Sequence, residues 1–120
     1  MQSSAAHIAE AQKFESVLAD LETTTHYGWV LVLRFYVVLH YVEAFLQTKL
    51  QRRRDHEVRR LDMSRVPETA AILADYRILE KLSREARYEC TPFRPKDLTD
   101  YGPVYLNVRT AMRSALGLSP

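Results

Sequence analysis

One short segment of this chain combines a histidine with a dense set of arginines. Between Lys49 and Arg60 six basic residues surround His56, and arginines follow this histidine by three and four positions. An imidazole exchanges a proton near neutral pH, and guanidinium groups offer paired donors to phosphate oxygens. The pattern is typical of a site that binds phosphate or carries out phosphate chemistry. It also fits a solvated, highly charged helix end, and both interpretations stay open.

The chemistry available to this segment needs no metal. A neutral histidine can accept the proton of a ribose 2′-hydroxyl while a nearby guanidinium stabilises the charge that builds on the phosphate. On a helix that begins after Asp55, the side chains of His56, Arg59 and Arg60 share one face. The chain's four histidines are scattered and its one cysteine lies far from them, so we expect neither a metal nor another cofactor.

A second candidate pair lies in the apolar segment that precedes the basic one. Arg34 and His40 have five residues between them. Six steps along a regular helix turn about 240°, so the two side chains would point about 120° apart unless a partner chain brings them together. His40 also fits an ordinary hydrogen-bonded core residue. A buried Arg34 needs an acidic or phosphate partner, and Glu15 or Glu85 is the expected structural one.

Apolar periodicity predicts helices throughout the chain. An amphipathic first helix ends at the threonines of positions 23–25, and a second, roughly Tyr27 to Gln51, is apolar on almost every side. Asp55 is expected to cap a short helix. Pro67 is expected to begin a long helix, and a last helix follows a proline-containing loop. We see no alternating strand pattern, so an all-α, antiparallel helical bundle is the predicted architecture.

The apolar second helix raises the question of a membrane. The stretch from Gly28 to Leu46 is 19 residues long, near the lower limit of about 17–20 for a span. It contains Arg34, His40 and Glu43, and each charged residue at mid-membrane costs about 2.5–3.5 kcal/mol. We therefore expect no membrane. The helix is predicted to be the centre of a bundle that also meets a partner subunit.

Composition and charge are those of a globular intracellular domain. Apolar residues make up 47% and charged residues 27% of the 120-residue chain. The net charge of +2 is uneven: −3 over residues 1–48, +4 over residues 49–65 and +1 over the remainder. Such asymmetry points to a surface that faces a polyanion. With one cysteine and no apolar leader at the start, we expect a cytoplasmic location.

Three stretches of the chain share a pattern with a known family. They are Phe35, Tyr36, His40 and Ala44; then His56 and Arg59; then Tyr76, Leu79, Ser83, Arg84, Ala86, Arg87 and Tyr88. In this order and spacing the chain resembles stand-alone HEPN-domain proteins, small all-α domains of bacteria and archaea. The resemblance runs from about residue 27 to the last helix.

This resemblance implies a four- or five-helix domain that forms a homodimer. Many members of the family are metal-independent ribonucleases that act as toxins or defence components. Their active-site pattern is an arginine, four to six residues and then a histidine, brought together across the dimer cleft. Arg34 and His40 fit that spacing, whereas Arg52 and His56 are one residue short of it. RNA and a co-encoded partner or antitoxin are the implied partners.

We therefore predict one HEPN-like helical domain over residues 1–120, built as a bundle of four or five helices. Its function is predicted to be RNA binding or metal-independent RNA cleavage by a homodimer. The predicted catalytic residues are His56, Arg59, Arg52, Arg34 and His40. The predicted phosphate-binding residues are Lys49, Arg53, Arg54 and Arg60. The alternatives are a catalytically inactive bundle that binds another subunit or a nucleotide, and a purely structural adaptor.

Overall fold

A computed structural model describes residues 2–120, and every regular element in that range is an α-helix. The helices are α1 (Ser4–Leu21), α2 (Tyr27–Gln47), α3 (His56–Arg65), α4 (Pro67–Ala70), α5 (Leu73–Tyr88) and α6 (Pro95–Ala115). The prediction of an all-α helical bundle is confirmed. Six helices over residues 2–120 exceed the predicted four or five, because a single-turn helix, α4, stands apart from α3 and α5.

Helix α2 is the centre of the bundle, with α1, α5 and α6 packed against it. Ten of the 19 residues in the buried apolar core come from α2. This helix is long and apolar enough to cross a membrane, but 83% of its most apolar 18-residue window is buried inside the bundle. Each large apolar side chain buried in this way contributes about 1.5–3 kcal/mol. The other helices therefore form the cover that the all-round apolar α2 requires.

The basic segment between α2 and α3 is not helical. Helix α2 ends at Gln47, four residues before the predicted end, and residues 50–55 have no regular structure. Helix α3 starts as predicted, because the Asp55 carboxylate accepts a hydrogen bond from the Val58 N–H at 2.8 Å. This break in helical structure lets arginine side chains of the segment turn inward toward acidic groups of α2 and α3.

Pro67 and Pro103 occupy different positions in their helices. Pro67 starts only the four-residue α4, and the long helix α5 begins later, at Leu73. Between them the Ile72 backbone leaves the helical region (φ −112°, ψ 8°) while its side chain enters the core. Pro103 lies inside α6 rather than at its start. Helix α6 begins before this proline, at Pro95. Its start is capped by the Asp97 carboxylate, which accepts a hydrogen bond from the Arg94 N–H at 2.8 Å.

Trp29, near the start of α2, lies outside the core. Its place in this apolar helix predicts a residue of the core or of a dimer interface. Its side chain is 60% exposed, so it is not part of the core of this chain. It borders a cavity of about 300 Å³ between the start of α2 and the end of α5.

Candidate functional site

A buried carboxylate, Glu43, joins α2 to the basic segment and to α3. Its Oε1 accepts a hydrogen bond from Nε of Arg59 at 2.8 Å, and its Oε2 accepts from Nη1 of Arg54 at 3.1 Å. The Arg54 side chain is fully buried, and less than a tenth of Glu43 and Arg59 is exposed. Each of these buried charges therefore has an opposite partner, which offsets the cost of removing it from water.

A second carboxylate, Asp62 of α3, extends the network. Nε of Arg54 donates to Asp62 at 2.7 Å, and Arg52 binds the same carboxylate through Nε at 3.0 Å and through Nη2. Burial raises the pKa of Asp62, but the two arginine hydrogen bonds outweigh it and bring the pKa below its ordinary value. Gln47 also donates to the Arg52 carbonyl at 2.9 Å. Arg52 and Arg54 thus hold the basic segment against the bundle, and Arg59 joins the same network from α3.

His56 lies at the first position of α3, next to this network. Its Nδ1 is 3.1 Å from Nη1 of Arg59 and 3.3 Å from Oε2 of Glu80 on α5. About half of the imidazole is exposed, whereas Glu80 is buried and its Oε2 has no hydrogen bond from the described residues. Burial, followed by the positive charge of Arg59, lowers the pKa of His56. Both effects favour the neutral form of the imidazole.

The two neighbours of Nδ1 favour opposite tautomers of His56. Arg59 can only donate, so it favours an unprotonated Nδ1 and leaves the proton on Nε2. The Glu80 carboxylate can only accept, so it favours a protonated Nδ1 and leaves Nε2 as a base. Only the second tautomer, with a protonated Nδ1 facing the carboxylate, corresponds to the arrangement that general bases use. Because the ring is half exposed, a ligand can reach it from solvent.

Additional cations lie on the face formed by α3 and α5, next to Glu80. Nη1 of Arg60 donates to Oε1 of Glu80 at 2.8 Å. Two arginines of α5, Arg77 and Arg84, form no salt bridge with any residue from 2 to 120. A cavity of about 380 Å³ opens there, and the residues that line it are Arg60, Arg77, Ile78, Glu80, Lys81 and Arg84. This α3–α5 face therefore keeps more unpaired positive charge than the basic segment itself.

The structure places His40 in a different pocket from His56. His40 and His7 of α1 meet with their Nδ1 atoms 3.0 Å apart, and Phe14 stacks on the His40 ring. Burial is the first cause that lowers the pKa of both histidines. Their cavity, of about 360 Å³, also reaches Arg53, Arg54, Arg59 and Glu43. Arg59 thus separates the histidine pair from His56.

Arg34 does not join either group. Its Nη1 donates to the Leu98 carbonyl of α6 at 3.0 Å, its guanidinium lies over the Tyr105 ring at 5.7 Å, and its Nε has no partner within residues 2–120. Burial lowers its pKa. The expected partner Glu15 instead accepts from Tyr41 and Arg109, so that expectation is wrong. The cavities of Arg34 and His40 share no residue, in keeping with the predicted divergence.

The remaining predicted phosphate ligands differ in availability. Lys49 lies 4.0 Å from the Glu68 carboxylate and over the Phe45 ring. Arg53 is exposed and forms no salt bridge within the described part of the chain. Sequence reasoning missed His7, Glu80 and Arg77. The sequence signal for His7 was its place on the apolar side of the first helix. Its pairing with His40 could not be predicted, because the two histidines are 33 residues apart.

Comparisons with known proteins leave the site to be interpreted from its own geometry. No family model, curated protein or solved structure matches this chain. The arrangement itself offers a solvent-accessible imidazole between a guanidinium and a carboxylate, unpaired guanidinium groups and a separate pair of hydrogen-bonded histidines. These groups suit the binding of phosphate and proton transfer without a metal.

Removing the central carboxylate tests the network. We expect Glu43→Gln to lower the free energy of unfolding by about 3–5 kcal/mol, because it leaves buried Arg59 without a counter-charge and leaves Arg54 with Asp62 alone. Urea denaturation measures the effect. The matched control is Glu57→Gln, on the exposed side of α3, which should change stability by less than about 0.5 kcal/mol. Equal effects of the two substitutions would contradict the network's role.

The histidines predict an acid-sensitive fold. His7, His40 and His56 all have lowered pKa values, so the folded chain binds fewer protons than the unfolded chain below about pH 6.5. Their stabilisation is present above that pH and is lost as pH falls through the folded-state pKa values. We expect urea denaturation to show a falling free energy of unfolding from about pH 7 to pH 5. The slope should be shallower in a His7→Gln/His40→Gln double variant, and an unchanged slope would contradict the assignment.

Proposed function

We propose that this chain is a HEPN-like protein that binds RNA on the α3–α5 face and cleaves it without a metal at His56. The observation that carries this proposal is the placement of His56. Its half-exposed imidazole lies between the Arg59 guanidinium and the Glu80 carboxylate. Glu80 also lines the cavity whose arginines Arg77 and Arg84 have no carboxylate partner within residues 2–120. A surface of this kind attracts a polyanion and gives it access to a base.

In this proposal His56 acts as the base. With Nδ1–H directed to Glu80, Nε2 takes the proton of a ribose 2′-hydroxyl, and the 2′-oxygen then forms a bond to phosphorus. The bond from phosphorus to the 5′-oxygen breaks, and that oxygen leaves with a proton supplied by solvent. The products carry a 2′,3′-cyclic phosphate end and a 5′-hydroxyl end.

The two arginines after His56 take different roles. Arg59 is buried and holds both Glu43 and His56, so it is a positioning residue. Arg60 keeps 29% of its side chain exposed, and it supplies donors to the charge that grows on the phosphate. Binding relies on exposed α5 cations such as Arg77 and Arg84 more than on Arg52 and Arg54, whose charges are neutralised inside the network.

We also propose an oligomeric state and a cellular role for this chain. Two copies would form a homodimer in the cytoplasm and act as a toxin or defence component, held in check by a co-encoded antitoxin. Exposed Trp29, beside its 300 Å³ cavity, is the surface feature that supports contact with a partner.

Substitution of His56 tests the proposed chemistry. His56→Gln should lower cleavage of single-stranded RNA by about 100-fold or more, since it removes the base, while changing RNA affinity by no more than about twofold. The assay runs with a chelator present and detects cyclic phosphate ends. His26→Gln, at the start of α2, is the matched control and should cleave normally. Cleavage that survives in His56→Gln, or that the chelator abolishes, would overturn the proposal.

A catalytically inactive partner protein is the second candidate, and exposed Trp29 is the observation that favours it. In that case the wild-type chain cleaves no RNA but still associates through this surface. We expect Trp29→Ala to weaken self-association by about tenfold or more, as loss of a central aromatic contact does. Sedimentation of the wild type, Trp29→Ala and the control Leu106→Ala measures this. Association that is equal in all three would exclude the Trp29 surface under either candidate.

A further inference from the structure

A second polar pocket lies on the other side of Arg59 from His56. His7 and His40 meet there with Nδ1 atoms 3.0 Å apart, and the stacked Phe14 ring, 5.6 Å from the His40 ring centroid, supports the pair. The cavity has a volume of about 360 Å³. Sites for small molecules have volumes from about 300 Å³ upward, so the pocket can hold a small group.

The short contact between the two rings restricts their protons. A hydrogen bond between two Nδ1 atoms contains one proton, so one imidazole donates and the other accepts. When both rings are neutral, one Nε2 is unprotonated and the other carries a proton. Addition of one further proton to the pair makes both Nε2 atoms donors. The His7–His40 pair can therefore become a double donor by taking up a single proton.

The charges around the pair favour an anion over a metal cation. The guanidinium groups of Arg53, Arg54 and Arg59 line the pocket against the single carboxylate of Glu43. Both oxygens of that carboxylate already accept hydrogen bonds from arginines. The pocket is left with net positive charge, which repels a cation and attracts an anion. Exposed Arg53 has no salt bridge within residues 2–120 and is free to bind it.

We propose that this pocket binds a phosphate group through His7, His40 and Arg53. A tetrahedral phosphate has enough oxygens to accept from both Nε2 atoms and from a guanidinium at once. Arg54 and Arg59 form the buried wall behind these three residues, where Glu43 holds them in place. This site does not require the chain to bind or cleave RNA.

Binding of phosphate should be coupled to uptake of a proton. The charged groups that act on the pair are Glu10 of α1, Glu43 of α2, Arg54 of the basic segment and Arg59 of α3. Burial, followed by the positive charges of Arg59 and Arg54, lowers the pKa of His7 and favours a neutral pair when no anion is bound. A bound anion offsets that positive field and favours the doubly donating, protonated pair.

Sulfate is the first probe of this site, because it is tetrahedral like phosphate but does not titrate in the neutral range. Any pH dependence of its binding therefore comes from the protein. Calorimetry on the full chain should show sulfate affinity about tenfold higher near pH 6 than near pH 8. The heat of binding near neutral pH should depend on the ionisation enthalpy of the buffer, which reports proton uptake. Inorganic phosphate should compete with sulfate for one site. Absence of binding at millimolar sulfate would overturn the proposal.

Three substitutions assign the site to these residues. Arg53→Gln should weaken sulfate binding by about tenfold at both pH values, since a charge-assisted pair of hydrogen bonds is lost. His40→Gln should remove the pH dependence. Arg65→Gln, at the exposed end of α3 and outside both proposed sites, should bind as the wild type does. Because Arg53 makes no hydrogen bond or salt bridge within residues 2–120, unchanged affinity in Arg53→Gln would contradict the site directly.

Two further measurements identify the source of the phosphate and separate this site from the proposed cleavage. An RNA with a 5′-phosphate should bind more tightly than the same RNA with a 5′-hydroxyl, and only in chains that keep Arg53, if the site takes an RNA end. Equal binding of both RNAs, with sulfate affinity intact, assigns the pocket to a free phosphate compound. His56→Gln should retain sulfate binding in full, so a failed cleavage assay leaves this proposal standing.

Discussion

The Glu43 carboxylate is the interaction on which the rest of this site depends. It projects from the most apolar helix of the chain and is almost completely buried, a placement that is costly without a counter-charge. Arg54 and Arg59 supply that counter-charge from two different parts of the chain, the basic segment and α3. A buried pair of this kind adds little free energy over an apolar pair, but breaking it is expensive. Its main effect is to hold these parts in one arrangement.

That arrangement separates the chain's positive charges into two groups. Arg52, Arg54 and Arg59 are neutralised by Glu43 and Asp62 and act as structural ties. The cations left for a ligand are on the surface: Arg53 at the histidine pair, and the arginines of the α3–α5 face. Arg59 lies between these regions, with Nη1 near His56 and its guanidinium in the wall of the other pocket. One buried arginine thus positions both proposed phosphate sites.

The helices could be predicted because their signals are local. Asp55 and the residues after it form a cap within three positions, and the uniform apolar character of α2 required a cover on every side. The positions at which the helical structure is interrupted were harder to predict. The turn at Ile72 follows from its burial in the core, and the early end of α2 follows from arginines that bind acids elsewhere.

The site was only partly predictable, because its partners are far apart in the sequence. The basic run around His56 was visible, but its neutralisation depends on Glu43, 16 residues before Arg59, and on Asp62 in the next helix. Glu80 and His7 reach the site from α5 and α1, and no local pattern connects them with it. The partner of Arg34 was equally hard to predict, because it is a backbone carbonyl 64 residues away. Periodicity predicts which side of a helix is buried, but not which polar atoms meet there.

The central claim, that Glu43 and Asp62 bind Arg59 and Arg54 in one buried network, can be measured directly at the Nε–H groups of these arginines. NMR spectra of the arginine side chains report how fast each Nε–H exchanges with solvent. Arg54 and Arg59 should exchange much more slowly than exposed Arg53, because their Nε–H groups donate to buried carboxylates. Equal and rapid exchange at all three arginines would show that the network does not form in solution, and would contradict the account.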